Sequence, residues 1–423
     1  MEIARHIARV VAEATGVLPT PIRGFNANDD DIWVSVPPDT RVRGEPVPNR
    51  PPRPALRQEG RPFVAISESS ARIGETALVR GTGHPLAPAP ELFQHTCIDA
   101  PTAALLGFLA SSVRLREPTL LEGPTAAGKT SAILYLASIL RHPVIRLNLG
   151  GQTDTGELIG RYAPRAGGWS WQEGLIPRAM REGWWVILDE INLAEPSIVE
   201  RLNPVLERSP SLVVSEGDGA RLGPGGAPVA AGFHIFATMN PSGGEYGGRS
   251  PLSPALRDRF AAQRLCTTPG ERDVRDLLFR MVLGEQPAIT LSSVGWEGSQ
   301  GLPATHAGLA DVAEIRTLLT ALARFHASVD AATRCEAVDQ RLGADRREGV
   351  VVSRRTLLSV LDYLEARVPE VGIRRATSQA IDRYYLDRLS AADDRHAVIR
   401  LADAAGLVAL AELPAALAAR EAS

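Results

Sequence analysis

The sequence predicts an α/β fold: a parallel-sheet domain with hairpin insertions, preceded by a small N-terminal region and followed by a helical domain. Three observations predict it. Pro118-Thr119-Leu120-Leu121 is a short apolar strand that runs through a glycine-flanked loop into the helical pattern of Ser131–Arg141. About 60 residues later, Trp184-Trp185-Val186-Ile187-Leu188 is a second apolar run, ending in Asp189-Glu190, as a buried parallel strand does when it delivers side chains to its carboxyl edge. From residue 271 to 400 the periodicity turns helical, rich in Leu and Arg.

The loop itself is Gly123-Pro124-Thr125-Ala126-Ala127-Gly128-Lys129-Thr130, followed by Ser131. Its spacing is G-x-x-x-x-G-K-[ST], and the strand before and helix after give it the context of a phosphate-binding loop. Backbone N–H groups in such a loop turn inward on a polyphosphate, and the helix start adds unpaired donors and the positive end of its dipole. Lys129 carries an independent signal, because it is the only lysine in a chain of 46 basic residues. A composition this biased towards arginine keeps one ammonium where a compact point charge must sit between phosphate oxygens, a task a planar guanidinium does not perform.

Composition bounds the alternatives. With 423 residues the chain has room for two or three domains. A net charge of -3 gives no overall bias towards nucleic acid. Cys97, Cys266 and Cys335 lie far apart without metal-ligand spacing, which fits a reducing cytoplasm. No apolar run is long enough for a membrane span, and the amphipathic pattern of residues 2–15 reads as a short helix, not a signal peptide.

Along the chain, Asp29-Asp30-Asp31 reads as a solvated turn, residues 32–36 as a strand, and the proline-rich stretch 37–54 as an extended connector. Residues 62–66 and 76–80 are two more short strands, and residues 100–113 a helix leading to the loop. Residues 144–149 form a strand, 152–160 a loop and short helix, and 165–175 a hairpin with Trp169 and Trp171 on one face. Asp189 is placed to organise a Mg²⁺ ion with Thr130, and Glu190 to polarise the attacking water as general base. The strand 233–238 leads to Asn240, an amide placed for the same water or the terminal phosphate. Residues 211–232 suggest a hairpin insertion. Arg257 and Arg259 follow, either as surface charges or as guanidinium groups that reach a neighbouring subunit's nucleotide. Residues 285–306 interrupt the helical region, Ser353 is a plausible N-cap before Arg354 and Arg355, and residues 401–420 read as a helix pair broken at Pro414.

Taken in order, GPTAAGKT, WVILDEINLA, ATMNP, LSPALRDRF and SRRTLL resemble the phosphate-loop, acidic-strand, sensor-1, arginine-finger and sensor-2 motifs of AAA+ ATPases. RLNLGGQTDTGELIGRY and GGRSPLSPALRDRF are similar to the dynein-related, midasin-like branch next to the MoxR-like proteins. The resemblance covers about residues 100–390. It implies a cytoplasmic ATPase using ATP and Mg²⁺. Its phosphates are held by residues 123–131, Mg²⁺ by Thr130 and Asp189, and water by Glu190. Asn240 is sensor 1, Arg259 or Arg257 the finger, and Arg355 or Arg354 sensor 2. The Trp169/Trp171 hairpin matches the helix-2 insertion of the branch. Residues 1–95 are an N-terminal region, 96–268 the nucleotide domain and 269–423 the lid with C-terminal helices. Because midasin chains six modules and this sequence has one, the resemblance implies a homo-oligomer, six copies in a ring. Its client is a partner protein, which in this branch often carries a von Willebrand type A domain. A DNA-translocating motor and an ATP-dependent scaffold with little turnover are the alternatives.

Overall fold

The computed structural model describes residues 62–93, 96–125, 127–165, 168–217, 219–241, 249–285, 304–335, 341–343 and 350–408, and the backbone of four further strands. Two compact units divide the chain, Met1–Arg57 and Gln58–Ser423. In the first, strands β1 (Thr20–Arg23) and β2 (Asp31–Val34) pair antiparallel. The predicted helix at 2–15 and the proline-rich connector lie outside the described residues.

The second unit begins with a three-stranded antiparallel sheet of β3 (Val64–Ile66), β4 (Ser70–Ile73) and β5 (Thr76–Val79), one strand more than the sequence suggested. Phe63, Ile73 and Leu78 bury one face of it in the same core as α1 (Ala100–Leu115). Helix α1 starts where the Asp99 carboxylate accepts from Thr102 N at 2.9 Å, with Pro101 in the first turn, where its missing N–H costs nothing.

The central sheet follows. Strands β6 (Thr119–Glu122), β7 (Val144–Asn148), β10 (Trp185–Asp189), β13 (His234–Met239) and β14 (Ala262–Leu265) are all parallel, in the order β14-β6-β13-β10-β7. Between β7 and β10 stand α3 (Thr155–Leu158), the antiparallel pair β8 (Gly160–Arg165) and β9 (Gly168–Glu173), and α4 (Leu175–Glu182). This hairpin is longer than the sequence indicated, since its first strand begins at Gly160 and Leu175 already belongs to a helix. Trp169 is 72 % exposed at its tip, while Trp171 packs edge-on to Tyr162 and against the core. Helix α5 (Pro196–Glu200) and the short pair β11 (Leu212–Val213) and β12 (Arg221–Leu222) form the second insertion, before β13.

Every residue of β10 and β13 is buried. Alternation assigns the faces: Leu121, Trp185, Ile187 and Phe236 enter the core built with helix α2 (Lys129–Leu140), and Leu120, Val186, Leu188 and Ala237 enter the opposite one. A sheet covered on both sides presents only its carboxyl edge to ligands.

Helix α6 (Pro254–Arg259) precedes β14, and the chain then becomes helical. Helices α7 (Glu271–Leu283), α8 (Ile315–Thr333), α9 (Arg354–Val371), α10 (Ile373–Tyr384) and α11 (Ala392–Ala404) share one apolar core. Within the predicted interruption, β15 (Ile289–Leu291) pairs with β16 (Trp296–Gly298). Ser353 is the N-cap of α9, and its N–H donates to Thr356 Oγ1 at 3.3 Å. Residues 401–404 close α11 instead of opening a new helix, because the amphipathic run already starts at Ala392; Pro414 lies outside the described residues.

Two buried histidines make stability depend on pH. Burial, then the neighbouring His142, hold His234 down at about 3, and burial, with Arg334 and Arg354, holds His326 at about 4. His326 Nδ1 lies 2.8 Å from Tyr385 Oη. Both rings stay neutral in the fold while an unfolded chain protonates near 6.5, so stability is full above that value and drains as pH falls towards the lowered ones. Urea unfolding at pH 5.5 is expected to show a loss of about 1 kcal/mol per histidine relative to pH 7.5, and His326→Gln to remove its share. A stability unchanged over that interval would rule this out.

Candidate functional site

Backbone hydrogen bonds fix the start of the phosphate loop. Gly123 N donates to Met239 O at 3.1 Å and Cys266 N to Glu122 O at 2.6 Å, which seals the end of β6 between β13 and β14. A Cβ on Gly123 would lie 2.3 Å from the Cys266 carbonyl oxygen, so no other residue fits there. Gly128 takes φ +80° as the N-cap of α2, a left-handed backbone that glycine adopts without strain. Pro124, Thr125, Ala127 and Thr130 are half-buried around the turn, Ser131 is exposed, and Ala126 lies outside the described residues.

Lys129 is 7 % exposed and points back over its own loop. Its ammonium donates to the Gly123 carbonyl, to Pro124 O at 2.9 Å and to Asn240 Oδ1 at 2.9 Å. Burial lowers its pKa, opposed by the charges of Glu190 and Asp189. The same alternation that builds the core places four polar groups at the sheet edge on the α2 side. Arg146 follows Val144, Asp189 follows Trp185 and Ile187, and Thr238 and Asn240 follow Phe236. Thr130 Oγ1 donates to Asp189 Oδ1 at 3.0 Å, Thr238 Oγ1 donates to the same oxygen, and Arg146 Nε donates to Asp189 Oδ2 at 2.7 Å.

Glu190 leaves the strand with φ +56° and ψ +45°, a conformation costly for a residue with a Cβ and held here by its contacts. Asn240 Nδ2 donates to its Oε1 at 2.7 Å, and Arg249 donates through Nε and Nη2 to its Oε2, both at 3.3 Å. Asn192 Nδ2 in turn donates to the Asn240 carbonyl at 2.8 Å. Asn240 thus links the ammonium to the carboxylate.

Lys129, Thr130, Arg146, Asp189, Glu190 and Asn240 line an open cleft of about 600 Å³ whose other wall is the helical domain. Cys97, Pro101, Leu105, Leu277 and Leu358 form its apolar end, and the phosphate loop its polar end. Arg355 also lines it and forms no ion pair among the described residues. Arg354 lines it too, and its guanidinium pairs with Asp99, which is 0 % exposed and already caps α1. The two finger candidates diverge, with Arg257 pairing with Glu122 just before the phosphate loop, and Arg259 pairing with Glu207 beyond α5.

Thr130 and Asp189 bring hard oxygen donors together, the chemistry that Mg²⁺ selects. Among the described residues there is no cluster of three or more His, Cys, Asp or Glu able to hold a metal. A cation that completes its shell with phosphate and water needs none. Arg146, Thr238, Asn192 and Arg249 were not singled out from the sequence. Arg146 and Thr238 had a signal, a polar residue in register with the core positions of an otherwise apolar strand. Arg249, beyond the end of β13, lies in the GGRSPLSPALRDRF stretch, which carried a resemblance but gave this residue no role.

Fold and site together define a phosphate-loop domain of the AAA+ class. Residues 118–260 match the AAA domain of the dynein-related subfamily. The domain over these residues is an AAA domain of that branch, and it is similar to the NirQ and NorQ proteins. It is 38 % identical to midasin of Dictyostelium discoideum over 39 % of this chain and 3 % of that protein. It is 31 % identical to Protein NorQ of Paracoccus denitrificans over 37 % of this chain and 55 % of the relative. With the denitrification regulatory protein NirQ of Pseudomonas aeruginosa it shares 30 % identity, over 42 % of this chain and 65 % of the relative. The chain therefore spans a small part of midasin and less than two thirds of the bacterial relatives. No helix among the described residues is long and apolar enough to cross a membrane.

Proposed function

We propose that the chain hydrolyses ATP in a Mg²⁺-dependent reaction, assembles as a ring of six copies, and uses the cycle to remodel or mature a partner protein. The observation that carries the reading is the meeting of Lys129, Thr130, Asp189, Glu190 and Asn240 at one sheet edge, beside a cleft of ligand size. Residues 96–268 act as the nucleotide domain and 269–423 as its lid.

Lys129 and the loop N–H groups of residues 123–131 hold the phosphates. Glu190 takes a proton from water as the water oxygen bonds to the terminal phosphorus. The bond from that phosphorus to the bridging oxygen breaks, and its electron pair leaves with ADP. Mg²⁺, held through Thr130 and Asp189, supplies neutralisation of phosphate charge. Asn240 keeps Glu190 aimed, Arg355 reaches the phosphates from the lid, and Arg259 acts on the neighbouring copy's nucleotide. The exposed Trp169 hairpin is the surface offered to a client, in this branch a protein with a von Willebrand type A domain.

Phosphate release from ATP by the purified chain tests the reading. Lys129→Ala is expected to bind ATP about 30-fold more weakly, the loss of one charge-assisted contact of about 2 kcal/mol. Equal affinity in the variant would remove the phosphate loop from the proposal, and a rate that rises with added DNA would replace the protein client by a nucleic acid.

A further inference from the structure

The geometry assigns Arg249 a role beyond the AAA+ motifs: it is the positioning residue for the Glu190 carboxylate. This rests on the proposed hydrolysis. Arg249 lies nine positions after Asn240 and is no part of the phosphate loop, the acidic strand or the two sensor motifs. Its side chain is 17 % exposed against 26 % for Glu190.

Glu190 departs from the strand in the left-handed region, so the backbone does not aim its carboxylate by strand alternation. Two side chains do it instead. Asn240 takes one lone pair of Oε1, and Arg249 presents Nε and Nη2 together to Oε2. An ionised carboxylate has about four acceptor sites, so this clamp leaves lone pairs open for a water while fixing the plane of the group. Asn240 is neutral and is shared with the Lys129 ammonium. Arg249 is the guanidinium in direct contact with Glu190 among the described residues. Its planar fork fixes an angle that a single ammonium does not.

A group that acts by aiming another is silent once that other group is removed. We would measure single-turnover ATP hydrolysis and ATP affinity for wild type, Arg249→Gln, Arg249→Lys, Glu190→Gln and the Arg249→Gln/Glu190→Gln pair. Expected is a turnover about tenfold lower in Arg249→Gln at unchanged affinity, with partial recovery in Arg249→Lys, and no further loss when Arg249→Gln is added to Glu190→Gln. An unchanged rate in Arg249→Gln overturns the assignment. So does a further tenfold loss in the Glu190→Gln background, which would make Arg249 a contact to the nucleotide or to another copy. Weakened ATP affinity in Arg249→Gln would likewise overturn it. If Glu190→Gln itself turns over ATP like the wild type, the hydrolysis reading fails instead.

Discussion

Glu190→Gln is expected to lower ATP turnover by 10² to 10⁴ while ATP stays bound. The range is what a positioned general base contributes, and the isosteric amide takes away the basic oxygen without altering volume. Binding is expected to survive because Lys129, proposed to hold the phosphates, keeps its contacts to the Gly123 and Pro124 carbonyls, which do not involve Glu190. The amide retains an oxygen able to accept from Asn240 or Arg249, so the site keeps its shape. Fluorescent-nucleotide titration alongside phosphate release checks both halves. A rate within threefold of wild type would show that the water is activated elsewhere. Loss of binding would show that Glu190 supports the loop.

Arg259→Ala is expected to cost about 10³ in turnover, the effect of an arginine that stabilises transition-state charge from a neighbouring copy. Arg257→Ala should cost less than tenfold, since Arg257 is tied to Glu122 beside its own phosphate loop. Arg259 instead pairs with Glu207, which is not among the residues lining the cleft, and its Nε is buried without a hydrogen-bond partner among the described residues. The rate per subunit should rise with protein concentration as the particle grows, and the Arg259→Ala particle should keep its size. Mixing Arg259→Ala with Glu190→Gln gives some sites an intact base and a neighbour's intact arginine. Partial recovery in the mixture is the expected result, and none would mean that the arginine acts within its own chain.

Much of this site was legible because strand alternation is rigid. Once Trp185 and Ile187 are placed against α2, Asp189 follows on the same face, and Phe236 carries Thr238 and Asn240 with it. The glycines of the loop were legible for a similar reason, since only one residue type tolerates the approach of Cys266 to Gly123. What sequence spacing did not disclose are partners brought together by long crossings. Asp99 and Arg354 stand 255 positions apart, and no periodicity links them. Arg249 reaches Glu190 from a segment with neither helical nor strand pattern. The hairpin was foreseen but started too late, because Gly160 looks like a helix end until Tyr162 is seen edge-on to Trp171.

The solitary lysine has a further consequence. Amine chemistry on this chain has two addressees, the α-amino group and a side chain that is 7 % exposed and wrapped by three acceptors. Surface arginines offer nothing to reagents or ligases that acylate amines, so among the side chains that chemistry is confined to Lys129. An acylating probe would therefore report on the floor of one cleft, and a ligand lying on that floor would shield it.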